Sequence, residues 1–314
     1  MRLFVAVTDY DWFQVHASKL TVDEVNFWQP SPDSSFKALS PGEPLLFKLH
    51  SPRNFIAGGG FFAKFLRLPL SLAWDAFGEG NGVYTPEEGR IRISKYRRVP
   101  IAPNEDPNIG CIILAEPFFF PEDLWIPIPS DFSLNVVRGK GYNTEDSVGQ
   151  NLWAQVVERL ATCSSHRQND ATETNAIIQS SRFGKPIVVL PRLGQGAFRV
   201  LVTDAYDRRC AFTQERTLPV LEAAHIKPYS AGGQHELSNG LLLRSDLHKL
   251  FDLGYITVDP DAQQIVVSRK IKEEFENGRD YYALHGRGLR VPAERAAVPS
   301  QENLLFHLQT VFRG

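Results

Sequence analysis

His225, Asn239 and His248 fall within one stretch, Cys210 to Gly254, of a 314-residue chain. Their types and order suit the hydrolysis of a phosphodiester. That reaction needs an activated water and a group that neutralises charge on the phosphate and the leaving oxygen. An imidazole with a near-neutral pKa can act as the base, and one divalent ion can do the rest. An amide side chain can hold the arrangement in register by hydrogen bonds. Taken singly, each residue has an ordinary explanation. A histidine in an apolar strand is usually a satisfied core residue, and Asn239-Gly240 alone would pass as a hairpin turn. The joint spacing inside an apolar framework is what points to chemistry.

The elements that must position these residues can be read from the surrounding pattern. Leu218 to Ile226 is mainly apolar and bounded by polar turn formers, as a short buried strand would be. Pro228 to Ser238 contains Gly232-Gly233 and few apolar residues, so it reads as a loop. Gly240 to Leu243 is too short for a helix and returns as a second strand. Ser245 looks like an N-cap, with Asp246 well placed in the first turn of a helix through Leu247, Leu250 and Phe251. Gly254 is a plausible stop. A strand–loop–strand–helix unit can bring a histidine at the end of its first strand opposite one in its helix.

Three segments, Glu-Ala-Ala-His-Ile-Lys-Pro from 222, Ser-Asn-Gly-Leu-Leu-Leu from 238 and Asp-Leu-His-Lys-Leu-Phe-Asp from 246, resemble the HNH nuclease family, whose core is a ββα-metal fold. The resemblance implies that His225 is the general base, Asn239 the structural or orienting amide and His248 a metal ligand, with Mg²⁺, Mn²⁺ or another divalent ion as cofactor. The chain departs from the family pattern at Ala224 and Arg244, where relatives often carry further ligands. Asp246 and Glu222 are the candidates to complete the metal shell, and Arg244 is a candidate grip on phosphate. Cys111, Cys163 and Cys210 are scattered, with no C-x-x-C pair, so no structural zinc is expected.

A chain of this length suggests two domains. Hydrophobic content of 43% and charged content of 22% are those of an ordinary globular protein. The net charge of −2 hides a small basic surplus from Lys185 onward, too mild to establish nucleic-acid binding by itself. The sparse, odd cysteine count fits a reducing cytoplasm rather than a disulfide framework. No signal peptide is evident and no apolar run approaches a membrane span, so a cytoplasmic protein is expected.

The first half of the chain reads as short strands, among them Leu3–Val7, Leu45–Leu49 and Gly110–Pro117, with helices over Leu70–Phe77 and Pro86–Arg97. Val15–Leu20 reads as a short helix or turn, and Gly58-Gly59-Gly60 suggests close approach of another backbone or a ligand. The expected class is α+β, with a partly open β-barrel and helices over residues 1–160. A polar linker is expected over 161–181 and a second domain over 182–314.

The segment Asn26-Phe27-Trp28-Gln29-Pro30, the run from Phe36 to Phe62 and the run from Gly110 to Pro127 resemble the PUA-like superfamily, specifically its EVE-type members. That resemblance implies a module that holds a modified base in an aromatic cage. A flipped base offers its face for stacking and its edge for hydrogen bonds. Trp28 is the first choice for a wall, with Trp12, Phe55 and Trp74 as others. Asp11, Ser51 and Asn54 are candidates for the base edge. An aromatic-rich chain buries most of its rings as core, which is the competing explanation for each. Arg192, Gln195, Arg199 and Lys227 are candidates for phosphate contact, against the plainer reading of surface charge.

Together the resemblances imply a modification-dependent endonuclease of the type IV restriction kind. It would capture 5-methyl- or 5-hydroxymethylcytosine in double-stranded DNA and cut nearby. One ββα unit cuts one strand, so a homodimer is expected for a double-strand break. The rival readings are a nuclease acting on unmodified DNA or RNA, and a non-catalytic binding protein with a degenerate HNH unit.

Overall fold

The largely apolar run Pro44–Leu49 is buried at every position. A strand covered on both faces requires such a run. In the computed structural model of the chain, which describes residues 1–19, 22–31, 35–97, 100–102, 104–166 and 193–314, this strand, β3, lies inside a large sheet. The other strands are β1 (Arg2–Thr8), β2 (Glu24–Gln29), β4 (Phe55–Pro69), β5 (Asn108–Phe119), β6 (Ile126–Pro127) and β7 (Gly139–Asn143). The order is β2-β5-β4-β3-β1-β7, with β6 added beside β4. β1 and β3 run parallel, and the other pairs are antiparallel.

Alternation along β3 divides the core. Leu45 and Phe47 face a cluster with Trp12, Val25, Phe62, Ile112 and Leu114. Leu46 faces the other side, with Leu3, Val5, Ile56, Leu152 and Val156. Trp12 arrives on α1 (Tyr10–Ala17), and Leu152 and Val156 on α4 (Ser147–His166). Two further helices, α2 (Leu70–Phe77) and α3 (Pro86–Tyr96), follow β4. Thr85 caps α3 by accepting the Glu88 amide, with Pro86 in the first turn.

Two sequence expectations are corrected here and a third is narrowed. β2 and β7 end the strand order and no sheet among the described residues closes, so the partly open barrel is an open sheet packed on both faces. Closure would require those two edges to share a ladder, and they pair only with β5 and β1. Of the two readings of the glycine run, close approach of another backbone is the one found: a Cβ on Gly58 would lie 2.3 Å from the Phe118 carbonyl oxygen of the neighbouring strand. The polar linker expected to begin at 161 starts instead as helix, because α4 continues to His166, and the rest of 161–181 lies outside the described residues.

The chain divides into two units, Met1–Arg192 and Leu193–Gly314. The second is built around α5 (Gln195–Ala205), β8 (Leu221–His225), β9 (Gly240–Arg244) and α6 (Ser245–Asp252). β8 and β9 are antiparallel, with His225 opposite Gly240 and Glu222 opposite Leu243. Leu241, Leu242 and Leu243 are fully buried with Phe198, Val202, Leu247 and Phe251. Burial of each leucine is worth about 2 kcal/mol. A hairpin of β10 (Ile256–Asp259) and β11 (Gln264–Val267), then short helices α7 (Lys270–Phe275), α8 (Arg279–Tyr282) and α9 (Gln301–Phe306), complete the unit. His307 stacks on Phe251 at 3.7 Å and its ring nitrogens meet Thr257 and the Phe251 carbonyl, which is a structural role.

Trp12 packs edge-on against Phe27 and Phe47 and is only 4% exposed. Its ring lies on Gly82, whose φ is +74° and whose Cβ, if present, would stand 1.9 Å from the indole Cδ1. Gly82→Ala therefore combines overpacking with left-handed backbone strain. It is expected to destabilise the first unit by about 2–3 kcal/mol, read as a lower urea midpoint at unchanged m-value.

Candidate active site

The short strand β8 ends at His225, and the chain then loops back to Asn239 before β9 begins. A loop of this length carries polar backbone groups that its own side chains must satisfy. Asn239 does so. Its side chain is buried, and its Oδ1 accepts from the Lys227 amide at 2.8 Å. Its Nδ2 donates to the carbonyls of Lys227 and Gln234, both at 3.0 Å. One amide thus ties the loop's start to its end and holds His225 at the mouth of the strand pair. The same loop carries His235 back to His225.

His225 is half-buried. One face of its ring stacks on Phe198 of α5 at 4.0 Å and 10°, and its Nε2 lies 2.9 Å from Nδ1 of His235. Burial, with smaller contributions from the charges of His235 and His248, lowers its pKa from 6.5 to about 4. The imidazole is therefore neutral at physiological pH and has a lone pair to offer. His248, on α6, has a carboxylate at each ring nitrogen. Its Nδ1 is 2.7 Å from Glu222 Oε2 and its Nε2 is 3.4 Å from Asp252 Oδ2.

The remaining expected residues divide cleanly. Glu222 stands at His248. Asp246 does not: its carboxylate is held by Arg244 through two bonds of 2.6 and 2.8 Å, which keep its pKa below the usual carboxylate value. Arg244 is correspondingly committed to Asp246. Asp252 takes the place expected of Asp246, and the signal for it was present, since residues four apart share a helix face. His235 was missed because its contact with His225 is made through a loop of no regular period. Among the described residues, no group of three His, Cys, Asp or Glu is arranged to hold a metal ion. In this arrangement both ring nitrogens of His248 face carboxylates, so the residues as placed do not form the expected metal shell.

Lys227 extends its ammonium over the Phe306 ring at 5.1 Å. Gln195 is exposed at the start of α5, Arg199 is half-buried on the same helix, and Arg192 lies outside the described residues.

In the first unit, two of the aromatic candidates come together. Trp28 and Trp74 line one small cleft, together with Asn81, Val83, Ile93 and Ile109. The Trp28 indole donates to the Asn81 carbonyl at 3.0 Å. Asn81 is itself fixed by a bond from Asn26 and by its own bonds to the carbonyls of Ala73 and Gly78. Asn81 was not anticipated, although its setting between glycines marks a turn. The other candidates lie elsewhere. Trp12 is core, as described. Asp11 is exposed on α1, 3.9 Å from Arg92. Ser51 and Phe55 are exposed beside the β3–β4 turn, and Asn54 accepts from buried Lys48 at 2.7 Å.

A family model described as HNH endonuclease matches residues 210–259. Those residues form an HNH endonuclease domain. The match spans β8, the Asn239-clamped loop, β9 and α6, so the HNH domain supplies both His225 and His248. The chain therefore carries a nuclease domain. No curated protein matches the chain. Among solved structures, a mutant ZmASCH protein from Zymomonas mobilis is similar at 8% identity and a TM-score of 0.34, over 48% of this chain and 96% of that one. A modification dependent TagI restriction endonuclease is similar at 12% identity and a TM-score of 0.27, over 96% of this chain and 79% of that one. No helix of the described residues is long and apolar enough to cross a membrane.

Two outcomes follow from this geometry. Asn239→Ala removes three buried hydrogen bonds and strands their backbone partners. It is expected to cost about 2–4 kcal/mol in thermal or urea unfolding, with cleavage lost even where the fold persists. The lowered pKa of His225 keeps its neutral form dominant as pH falls. The acid limb of nuclease activity is accordingly expected near pH 4, well below the 6.5 of a free imidazole, in initial-rate measurements on linear DNA. An acid limb at the free-imidazole value would contradict it.

Proposed function

We propose that the protein is a modification-dependent endonuclease, in which the HNH domain hydrolyses phosphodiesters with His225 as general base and the first domain reads a modified cytosine. The observation that carries the reading is His225 itself. It is a neutral imidazole at a strand end, packed on Phe198 and held beside a buried amide clamp, within a matched HNH domain. Such a group takes a proton from water as the water attacks phosphorus. Glu222 and Asp252 hold the ring of His248 across the same ββα unit, which positions a second imidazole for the reaction. A divalent ion, Mg²⁺ or Mn²⁺, is part of this proposal as a requirement to be tested; no step above depends on where it sits.

The cleft at Trp28 supports the recognition half. Trp28 and Trp74 supply aromatic surface for stacking, and the bond to Asn81 holds the Trp28 ring in one orientation. A 5-methyl or 5-hydroxymethyl group would be sensed there on a flipped cytosine. The first unit, Met1–Arg192, would be the reading domain, and the second, Leu193–Gly314, the nuclease. Two copies acting as a homodimer would cut both strands.

The test uses otherwise identical duplexes with cytosine, 5-methylcytosine or 5-hydroxymethylcytosine, with Mg²⁺, with Mn²⁺ and with chelator. Cleavage is expected only on a modified duplex with ion present. His225→Ala is expected to lower the rate at least about a hundredfold. Trp28→Ala is expected to abolish the preference for modified DNA while leaving residual cutting at high enzyme concentration. Equal cutting of all three duplexes by the unaltered protein would overturn the recognition half, and undiminished cutting by His225→Ala the catalytic half.

A further inference from the structure

We propose that His235 is a positioning residue that sets the tautomer of His225, accepting the Nε2–H of that ring so that Nδ1 is the nitrogen left bare to take a proton from water. The inference rests on the reading of His225 as general base and deepens it.

Two ring nitrogens 2.9 Å apart share one proton between them, so one ring donates and the other accepts. If His235 donated, His225 would carry its own proton on Nδ1 and have no basic nitrogen left. If His225 donates, its Nδ1 carries the lone pair. Only the second arrangement makes a base, and the partner of the far nitrogen decides which form is present. The bond is also geometrically supported at both ends. Phe198 lies flat on His225, and Tyr229 lies flat on His235 at 4.8 Å and 11°. Asn239 accepts from the Lys227 amide and donates to the Gln234 carbonyl, so it grips the loop immediately before Tyr229's turn and immediately before His235. The buried clamp therefore reaches His225 through His235. When Nδ1 accepts the proton, the Nε2–H bond to His235 becomes charge-assisted and shortens, which stabilises the imidazolium as it forms.

The experiment reads the tautomer directly, by long-range ¹H–¹⁵N correlation of the imidazole rings in the full chain near neutral pH, beside DNA cleavage kinetics. The wild-type protein is expected to show His225 protonated on Nε2 alone. His235→Leu, which removes the acceptor, is expected to mix or reverse the tautomer and to lower kcat about ten- to a hundredfold, with KM for DNA unchanged. His235→Asn places an amide oxygen near the former Nδ1 position and is expected to restore the tautomer and most of kcat. A wild-type His225 protonated on Nδ1, or a tautomer unmoved in both variants, would overturn the inference. Should His235→Leu fail to fold, the wild-type spectrum and His235→Asn still decide it. Full cutting by His225→Ala with the expected tautomer in place would remove the base reading alone; loss of cutting there with a wild-type rate in His235→Leu would remove only the role of His235.

Discussion

The buried amide of Asn239 is the constraint on which the nuclease unit depends. A loop between two short strands has to satisfy its own backbone, and here a single side chain binds the amide and carbonyl of Lys227 and the carbonyl of Gln234. A carboxamide accepts through its oxygen and donates twice through its nitrogen, which matches the three backbone groups it meets. Aspartate would lose the donors, and leucine would leave three polar groups stranded. Asn239 is buried beside the leucines of β9, and its bonds to Lys227 and Gln234 tie the two ends of the loop that carries His235 to His225.

Burial also determines what kind of histidine each one is. His225 and His307 both have lowered pKa values, and in both the main cause is loss of water around the ring. His307 satisfies its two nitrogens within the core and ends its role there. His225 spends one nitrogen on His235 and keeps the ring at a half-buried strand end. The same physical cause thus yields a core packing residue in one place and a neutral, half-buried imidazole at a strand end in the other. Charge pairing sorts the carboxylates of α6 in the same way. Asp246 is taken by Arg244, while Glu222 and Asp252 meet His248 from a strand and from one helical turn away.

In the first unit the comparable constraint is the Asn26–Asn81 pair under Trp28. Asn81 gathers a helix end, a turn carbonyl and the indole of Trp28 into one set of bonds. That set, rather than aromatic content, separates Trp28 from Trp12. Both are tryptophans near strand ends, but Trp12 rests on Gly82 between phenylalanines and Trp28 borders a cleft.

Much of this was legible from the chain of residues. The β8–loop–β9–α6 order follows from short apolar runs broken by glycines and polar residues, because strand and helix periods are local properties. The run Leu45–Leu49 likewise announced a strand; that both its faces are covered is a finding of the fold. The HNH resemblance of the stretch around His225, Asn239 and His248 was also legible, and the family match covers that stretch. What the sequence alone could not determine was pairing across the fold. Whether Arg244 binds phosphate or Asp246, whether His225 has His235 beside it, and whether the edges β2 and β7 meet are decided by tertiary packing. Each depends on distances between residues that no local period relates, and only the closed core sets those distances.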